Sequence, residues 1–364
     1  MKSEIPDITI IDLEQGAEEQ RAEQISEMRT DESEEFEEEP AKRGFRINVH
    51  VLLFATVAII IPLIIYRILN WGSPISHEDI FSDGEGTYDN SLDNIVPLLD
   101  EEGDIVSFDY SDGFNIVAFG NAPFSDDRDS EDNLANLIAE RTGATVYNCS
   151  VSGSYLAAEY LPFDASVSPM DAYGFYWLSV VASGVDSNYY GLAAEALGDK
   201  TPPDAAEAIE TLKSIDFNTV DAIVVMYDAT DYLMGHPTYN EAYHSDPLYF
   251  AGNLSAGIER FQDFYPHIRI IVLSPAYAFA IDENGDYISS DIQRYGDNVL
   301  STYSILAGNT CVSLNVTFVD NLYGTINEDN ALEYLTDNIH LNLSGRRAVA
   351  DRAADAILYF GDGK

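Results

Sequence analysis

Residues 337–345 read Asp-Asn-Ile-His-Leu-Asn-Leu-Ser-Gly and lead directly into a helical pattern that ends at Tyr359. Asp337 and His340 lie three residues apart, so the carboxylate can hold one imidazole nitrogen while the other nitrogen stays free to act as a base. A structural interpretation also fits, in which Ser344 caps the last helix and His340 is an ordinary loop residue. One such pair matches many proteins by chance, so the residues upstream are needed to distinguish the two interpretations.

Upstream of this segment, short apolar runs alternate with helical patterns. The runs cover residues 115–120, 145–149, 222–227, 268–273 and 316–319, and the helical patterns cover 132–143, 205–213, 257–264 and 345–359. Strands that are apolar throughout and alternate with helices predict a parallel sheet covered on both faces. We therefore predict an α/β domain over residues 113–364, with a central parallel sheet.

Polar residues follow three of these runs. Residues 120–128 read Gly-Asn-Ala-Pro-Phe-Ser-Asp-Asp-Arg, residues 148–154 read Asn-Cys-Ser-Val-Ser-Gly-Ser, and residues 227–232 read Tyr-Asp-Ala-Thr-Asp-Tyr. Sites in parallel sheets lie beyond the carboxyl ends of the strands. These three blocks and residues 337–345 are therefore predicted to form one candidate site.

In this order and on these elements, the four blocks resemble those of the SGNH/GDSL hydrolase family, over about residues 114–360. The most specific match is at residues 337–345, where the family has Asp-x-x-His followed by Leu-Asn and a glycine. The resemblance implies an SGNH/flavodoxin-like three-layer sandwich. It also implies that Asp337 and His340 are the acid and base of a catalytic triad, and that Gly153 is an oxyanion donor.

Two positions depart from the family pattern. Its Gly-Asp-Ser reads Gly-Asn-Ala at residues 120–122, so Ala122 stands where the serine nucleophile would be. Its Gly-x-Asn-Asp reads Asp-Ala-Thr-Asp at residues 228–231, so Thr230 replaces the oxyanion asparagine. A methyl group cannot attack a carbonyl, and losing one triad member normally removes most of the rate. Thr230 can still donate through its hydroxyl, and we count Asn121 among the oxyanion or binding candidates.

Three functions fit these residues. In the first, the chain hydrolyses an ester, an acetyl or acyl group on an envelope carbohydrate or a small molecule, with a substitute nucleophile. That substitute is either Ser125, which is otherwise interpreted as a turn or cap residue leading into a helix start at residues 126–127, or a water activated by His340. In the second, the domain is a pseudoenzyme that binds a cell-surface glycan or a protein partner. In the third, it is a scaffold with an idle cleft. The ester substrate class comes from the resemblance alone.

The amino-terminal part of the chain consists of an acidic segment followed by a segment without acidic residues. Residues 1–40 hold 15 acidic and 3 basic side chains, whereas residues 41–70 hold no acidic residue. The apolar run at 47–66, with its flanks, reaches the roughly 20 residues needed to cross a bilayer. Three basic residues precede the run (Lys42, Arg43 and Arg46), and only Arg67 follows it. This asymmetry predicts a cytoplasmic amino terminus.

We therefore predict a single-pass protein of the cell membrane. Residues 1–44 form a disordered acidic cytoplasmic tail, residues 45–70 a transmembrane helix, and residues 71–112 an acidic linker or stalk. Residues 113–364 form the extracytoplasmic SGNH-like domain. Within the linker, residues 105–108 have the pattern of one short strand.

Composition excludes several function classes. The formal net charge of −45 argues against nucleic acid as a partner, because phosphate binding needs clustered Lys and Arg. The histidines show no metal spacing, and we expect neither a metal nor another cofactor. Cys149 and Cys311 either pair with each other or are buried free thiols. The aromatic-rich segment 168–177 predicts either a helix packed on the sheet or a surface that stacks on sugar. The sequence leaves the oligomeric state open.

Overall fold

The computed structural model describes residues 92–100, 103–106, 108, 113–185 and 188–360, which all belong to one compact unit. The predicted tail at 1–44 and the predicted transmembrane helix at 45–70 lie outside the described residues, as does most of the linker. No helix within the described ranges is long and apolar enough to span a membrane.

A parallel five-stranded sheet forms the centre of the domain. The strands of the described residues are β1 (Asn115–Gly120), β2 (Thr145–Asn148), β3 (Ala222–Met226), β4 (Arg269–Leu273), β5 (Ala280–Ile281), β6 (Tyr287–Ile288) and β7 (Thr317–Val319). Five of them pair in the order β2-β1-β3-β4-β7, all parallel. β5 and β6 form a separate antiparallel hairpin. The prediction of a parallel sheet is confirmed, and its order is that of flavodoxin-like folds.

Burial shows that helices cover both faces of the sheet. Every residue of β3, β4 and β7 is buried, and so are five of the six residues of β1. Because successive side chains of a strand point to opposite faces, burial at consecutive positions requires a layer on each side. The three-layer arrangement follows directly from these apolar runs.

The flanking layers are helical. The described residues contain α1 (Ala122–Ser125), α2 (Leu134–Thr142), α3 (Phe175–Ala182), α4 (Tyr189–Leu197), α5 (Ala205–Ser214), α6 (Thr230–Met234), α7 (Phe250–Phe264), α8 (Leu300–Leu314), α9 (Asn321–Gly324), α10 (Ala331–Tyr334) and α11 (Leu343–Leu358). α2 packs against α11, while α3 and α8 pack against α7.

The end of α2 and the start of α11 can be compared with the helix limits predicted from the sequence. α2 ends on Gly143 with a φ of 73°, the left-handed conformation that favours glycine after a helix, as predicted. The cap of α11 differs from the prediction. The side chain of Asn342 accepts the Gly345 amide at 3.1 Å, so Asn342 is the cap and Ser344 lies inside the first turn. α11 therefore starts at Leu343, two residues earlier than its apolar pattern suggested.

Residues 92–98, inside the predicted linker, lie along the edge strand β7. Asn94 and Phe318 exchange two backbone hydrogen bonds of 2.9 Å each. The Val96 amide donates to Thr317 Oγ1 at 3.2 Å, and that hydroxyl donates back to the Val96 carbonyl at 3.1 Å. Within the short strand predicted at 105–108, Ile105 forms an isolated bridge with Leu99, and residue 107 lies outside the described residues.

Candidate active site

Asp337 and His340 form a hydrogen-bonded pair in the loop before α11. His340 Nδ1 lies 2.7 Å from Asp337 Oδ2. The other oxygen, Oδ1, accepts the backbone N–H groups of Ile339 at 2.9 Å and His340 at 2.8 Å. Because the carboxylate is fixed by three bonds, it orients the ring through Nδ1 and leaves Nε2 for proton transfer with a bound molecule. The side chains are 43% (His340) and 47% (Asp337) exposed, so a ligand can reach them.

Two further carboxylates lie close enough to act on His340. Burial lowers the pKa of His340, but the hydrogen bond to Asp337 and the charges of Asp126 and Asp228 outweigh it, so the net pKa is raised. Burial raises the pKa of Asp126, and Asp228 adds to this, while His340 opposes it. Burial likewise raises the pKa of Asp228. The imidazole therefore lies in a negative environment that favours its protonated form.

The pKa of Asp337 is shifted in the opposite direction to that of Asp126 and Asp228. Burial alone raises its pKa, but the backbone N–H groups of His340 and Ile339 and the His340 ring outweigh this, so the net pKa is lowered. The carboxylate therefore stays ionised, as a residue that orients an imidazolium has to be.

The sheet edge brings the first and third blocks together. Asn121, after β1, donates from Nδ2 to Asp228 Oδ1 at 2.7 Å and accepts the Asp228 amide on Oδ1 at 2.9 Å. The same Nδ2 reaches the Ser154 carbonyl of the second block at 2.9 Å. Gly120 permits this approach, because a Cβ there would lie 1.9 Å from the carbonyl oxygen of Met226. Asn121 therefore connects the first block to the second and third blocks.

The nucleophile position holds no nucleophile. Ala122 is the first residue of α1 and is buried. Its amide and that of Gly153 donate no hydrogen bond within the described residues. Gly153 has a φ of 70°, a conformation that glycine adopts without strain. The amide of Gly153, the implied oxyanion donor, and the amide at the nucleophile position thus have no acceptor in the described part of the chain.

Ser125 is not joined to the base. It is the last residue of α1 and is buried, and its Oγ has no hydrogen-bond partner among the described residues. In the alternative interpretation, Ser125 is a turn or cap residue that leads into a helix at 126–127; residues 126–129 form a turn and no helix starts there. Asp126 adopts an extended conformation after α1, and the next helix, α2, starts at Leu134 with Asn133 as its cap.

Thr230 and Asp228 occupy the third block differently from the implied arrangement. Thr230 is the first residue of α6, and its amide donates to Asp228 Oδ1 at 2.9 Å. Asp228 Oδ1 therefore accepts from both Asn121 and Thr230. At residue 228, where the family pattern has glycine, a carboxylate therefore accepts hydrogen bonds. Asp126 and Asp228 were present in the blocks but were not singled out, because their nearness to His340 depends on tertiary structure.

Asp231 and His236 form a buried support behind the site. Asp231 accepts the amides of Leu156 and Ala157 at 2.9 Å each, and its Oδ1 lies 2.8 Å from His236 Nδ1. His236 Nε2 is buried without a partner in the described part of the chain. Burial lowers the pKa of His236, but the hydrogen bond and charge of Asp231 outweigh it, so the net pKa is raised. The pair ties the third block to the loop after the second.

Arg128 joins the first block to the second. Its guanidinium donates to the carbonyls of Asn148, at 2.9 Å, and Ser150, and it lies 3.6 Å from Asp204. Arg128 closes the first block in the sequence, but nothing in its spacing indicated this role. Only the fold brings β2 and the loop before α5 to the same side chain.

The two cysteines are buried in the domain and form no disulfide with each other. Cys149 and Cys311 are free and buried, so the alternative of two free thiols is the one found. Burial raises the pKa of both thiols far above the usual range. Within the described ranges, no group of three or more His, Cys, Asp or Glu residues could hold a metal ion.

No protein-family model matches the chain, and no curated protein matches it. Several solved structures do. One is Est24, a carbohydrate acetylesterase from Sinorhizobium meliloti, 13% identical, with 68% of this chain and 99% of that chain covered and a TM-score of 0.39. Another is the M. smegmatis aryl esterase, 15% identical, covering 68% and 100% with a TM-score of 0.39. A third is a protein from Desulfitobacterium hafniense DCB-2 assigned to the G-D-S-L family, 12% identical, covering 67% and 99% with a TM-score of 0.39.

The chain has an SGNH-like fold. Its sheet order and the joining of the blocks at one edge agree with the fold that the sequence predicted. The likenesses to solved structures, at these identities and TM-scores, carry no argument about activity.

Proposed function

We propose that the chain is a membrane-anchored ester hydrolase of SGNH type, in which His340 is the general base and water is the nucleophile. The Asp337–His340 pair supports this proposal, because its geometry is that of a base whose partner fixes the ring and whose second nitrogen is available. The absence of a side-chain nucleophile at Ala122 makes water the remaining attacking group at that position.

The proposed reaction is a single displacement at an acyl carbon. His340 Nε2 takes a proton from a water molecule as its oxygen attacks the ester carbonyl. The amides of Ala122 and Gly153 donate to the oxyanion that develops. When the tetrahedral intermediate collapses, the C–O bond to the alcohol breaks and the protonated His340 returns its proton to the departing oxygen. Acid and alcohol are the products.

The proposed substrate is an acetyl or acyl ester on an envelope carbohydrate, with small-molecule esters as simpler substrates. Residues 71–364 hold 48 acidic and 11 basic side chains. Long-range repulsion therefore disfavours polyanionic ligands and leaves neutral acylated sugars. The outward placement rests on the charge asymmetry around residues 45–70, with the tail at 1–44 in the cytoplasm and the domain at 113–364 outside.

A second function is favoured by Asp228. Its carboxylate accepts hydrogen bonds from Asn121 and Thr230. Two hydrogen-bond donors near the site are therefore already bonded to a negatively charged group. A developing oxyanion next to this charge is opposed by it. The alternative is a catalytically inactive domain that uses the same cleft to bind a glycan or a protein partner.

Ester hydrolysis by the purified full chain separates the two functions. We expect release of p-nitrophenol from p-nitrophenyl acetate and of acetate from O-acetylated xylan. His340→Ala is expected to abolish both, whereas His267→Ala, which changes an exposed histidine, leaves them intact. Turnover that equals the background with both substrates, or that survives His340→Ala, would reject the hydrolase and favour the binding domain.

A further inference from the structure

The outer side of α7 borders an open groove. The groove has a volume of about 570 Å³. Along α7 it is lined at positions 256, 259, 260, 263 and 264, a spacing that places these side chains on one helical face. Tyr176 and Trp177 of α3 and Tyr243 of the loop before α7 also line the groove. No residue of the Asp337–His340 site takes part.

Aromatic side chains in this groove present surface to solvent. Tyr243 is 61% exposed and Phe264 is 52% exposed, and Tyr176 is partly exposed. Trp177 is buried and packs against Phe163 and Tyr189, with ring centroids 5.7 and 4.6 Å away. It is therefore a buried, packed part of the groove wall. Most of the segment at 168–177 packs inward, as the prediction of a packed helix expects, and Tyr176 lines the groove.

Polar groups stand between these rings. The Arg260 guanidinium lies 5.2 Å from the Phe264 ring centroid, and its Nε donates to Ser183 Oγ at 2.7 Å. Glu259 accepts from Ser245 Oγ at 2.8 Å. Asp263 is exposed one turn further along α7. Hydrogen-bonding groups are thus held in fixed positions beside aromatic faces.

A second groove also borders α7. It has a volume of about 530 Å³ and lies between α7 and α8. Glu259 lines both grooves. The second groove is also lined by Tyr239 and His244, which are joined by a hydrogen bond, and by Asn309 and Ser313 of α8. A ligand that fills both has to be longer than a single small ring.

We propose that the two grooves, here named the α7 groove, bind a neutral polysaccharide chain at a site separate from Asp337 and His340. Exposed aromatic faces stack on the apolar faces of sugar rings, while Glu259, Arg260 and Asp263 hydrogen-bond the hydroxyl groups. Two carboxylates in the groove disfavour an anionic polymer. The extended shape suits a chain of sugars. The binding does not depend on whether His340 performs turnover.

Affinity electrophoresis of the purified full chain tests this site. Native gels contain hydroxyethylcellulose, xylan, mannan or a soluble β-1,3-glucan, and a parallel gel contains polygalacturonate. We expect retardation by at least one neutral polymer and none by polygalacturonate. Tyr243→Ala and Phe264→Ala are each expected to weaken the retarding interaction about tenfold. Both rings are exposed, so neither change disturbs the core.

Two controls keep this result distinct from the proposed hydrolase. Tyr359→Ala changes a comparably exposed tyrosine outside the groove and is expected to leave retardation unchanged. His340→Ala is also expected to leave retardation unchanged. A failure of ester hydrolysis can therefore be distinguished from a failure of polysaccharide binding. Mobility that no neutral polymer alters would overturn the proposal. So would retardation that persists fully in Tyr243→Ala and Phe264→Ala, or that only polygalacturonate causes.

Discussion

Asn121 and Asp228 are joined by two hydrogen bonds that run in opposite directions. Asn121 donates through Nδ2 to the carboxylate at 2.7 Å and accepts the backbone amide of Asp228 at 2.9 Å. These residues follow β1 and β3, which are neighbours in the sheet. The pair therefore fixes the distance between the first and third blocks, and it supplies one of the donors that a buried carboxyl group requires.

Asn121→Ala removes both bonds and leaves the buried Asp228 short of a donor. We expect the free energy of unfolding to fall by about 1–3 kcal/mol, measured by urea denaturation followed by circular dichroism. Asn136→Ala, at an exposed position, is the matched control and should change the free energy by less than about 0.5 kcal/mol. Equal effects of the two changes would show that the pair contributes no stability.

Ala122→Ser restores the nucleophile implied by the family pattern. If the base is correctly placed, p-nitrophenyl acetate hydrolysis should rise about tenfold or more, with an initial burst and a covalent acetyl adduct detected by intact mass. Ser125→Ala should leave the rate of the natural chain unchanged, because Ser125 Oγ bonds to nothing within the described residues. A serine at 122 that forms no adduct and adds no rate would contradict the proposed position of His340.

Asp126→Asn tests the electrostatic environment of His340. Burial lowers the His340 pKa, and Asp337, Asp126 and Asp228 together raise it above the usual 6.5. Since only the neutral imidazole acts as a base, the hydrolysis rate should rise with pH through this raised pKa. Removing the charge of Asp126 lowers the pKa, so the rising limb should move to lower pH. Asp129→Asn, at an exposed position, should leave the profile in place, and a shift to higher pH in Asp126→Asn would contradict the assignment.

His236 links stability to pH. Its folded-state pKa is raised, burial being outweighed by Asp231, so the protonated ring stabilises the fold. This contribution is fully present below the unfolded-state pKa of about 6.5 and is lost as pH rises through the folded-state value. His236→Gln should therefore lower the free energy of unfolding more at about pH 5.5 than at about pH 9. Urea denaturation at both pH values measures the difference. A cost that is larger at alkaline pH would be inconsistent with a protonated, Asp231-bonded ring.

The central sheet could be predicted because its strands bury both faces. A run such as 222–226 has no polar position, and this pattern is typical of parallel strands between two helical layers. α8 was not anticipated, since Leu300–Leu314 mixes its apolar residues around the helix and carries no clear stripe. Helix limits were also shifted where a cap, such as Asn342, lay outside the apolar pattern.

The site was predictable only where its residues are near in sequence. Asp337 and His340 are three residues apart, and the predicted hydrogen bond between them is found. The influence of Asp126 and Asp228 on His340 arises because the carboxyl ends of β1 and β3 and the loop before α11 meet at one edge. Such long-range contacts leave no periodic pattern. The same holds for Arg128, whose partners lie 20 or more residues away.

The pairing of residues 92–98 with β7 also governs how this protein behaves when it is shortened. An unpaired edge strand offers its amides and carbonyls to any neighbouring molecule, and it is a recognised starting point for aggregation. Asn94 and Val96 occupy the hydrogen-bonding groups of β7 and Thr317 that would otherwise face outward. A fragment cut at residue 113 would expose this edge and is expected to precipitate or to form chain-to-chain β-pairs. A fragment that begins ahead of Leu92 keeps the edge covered and should stay monodisperse.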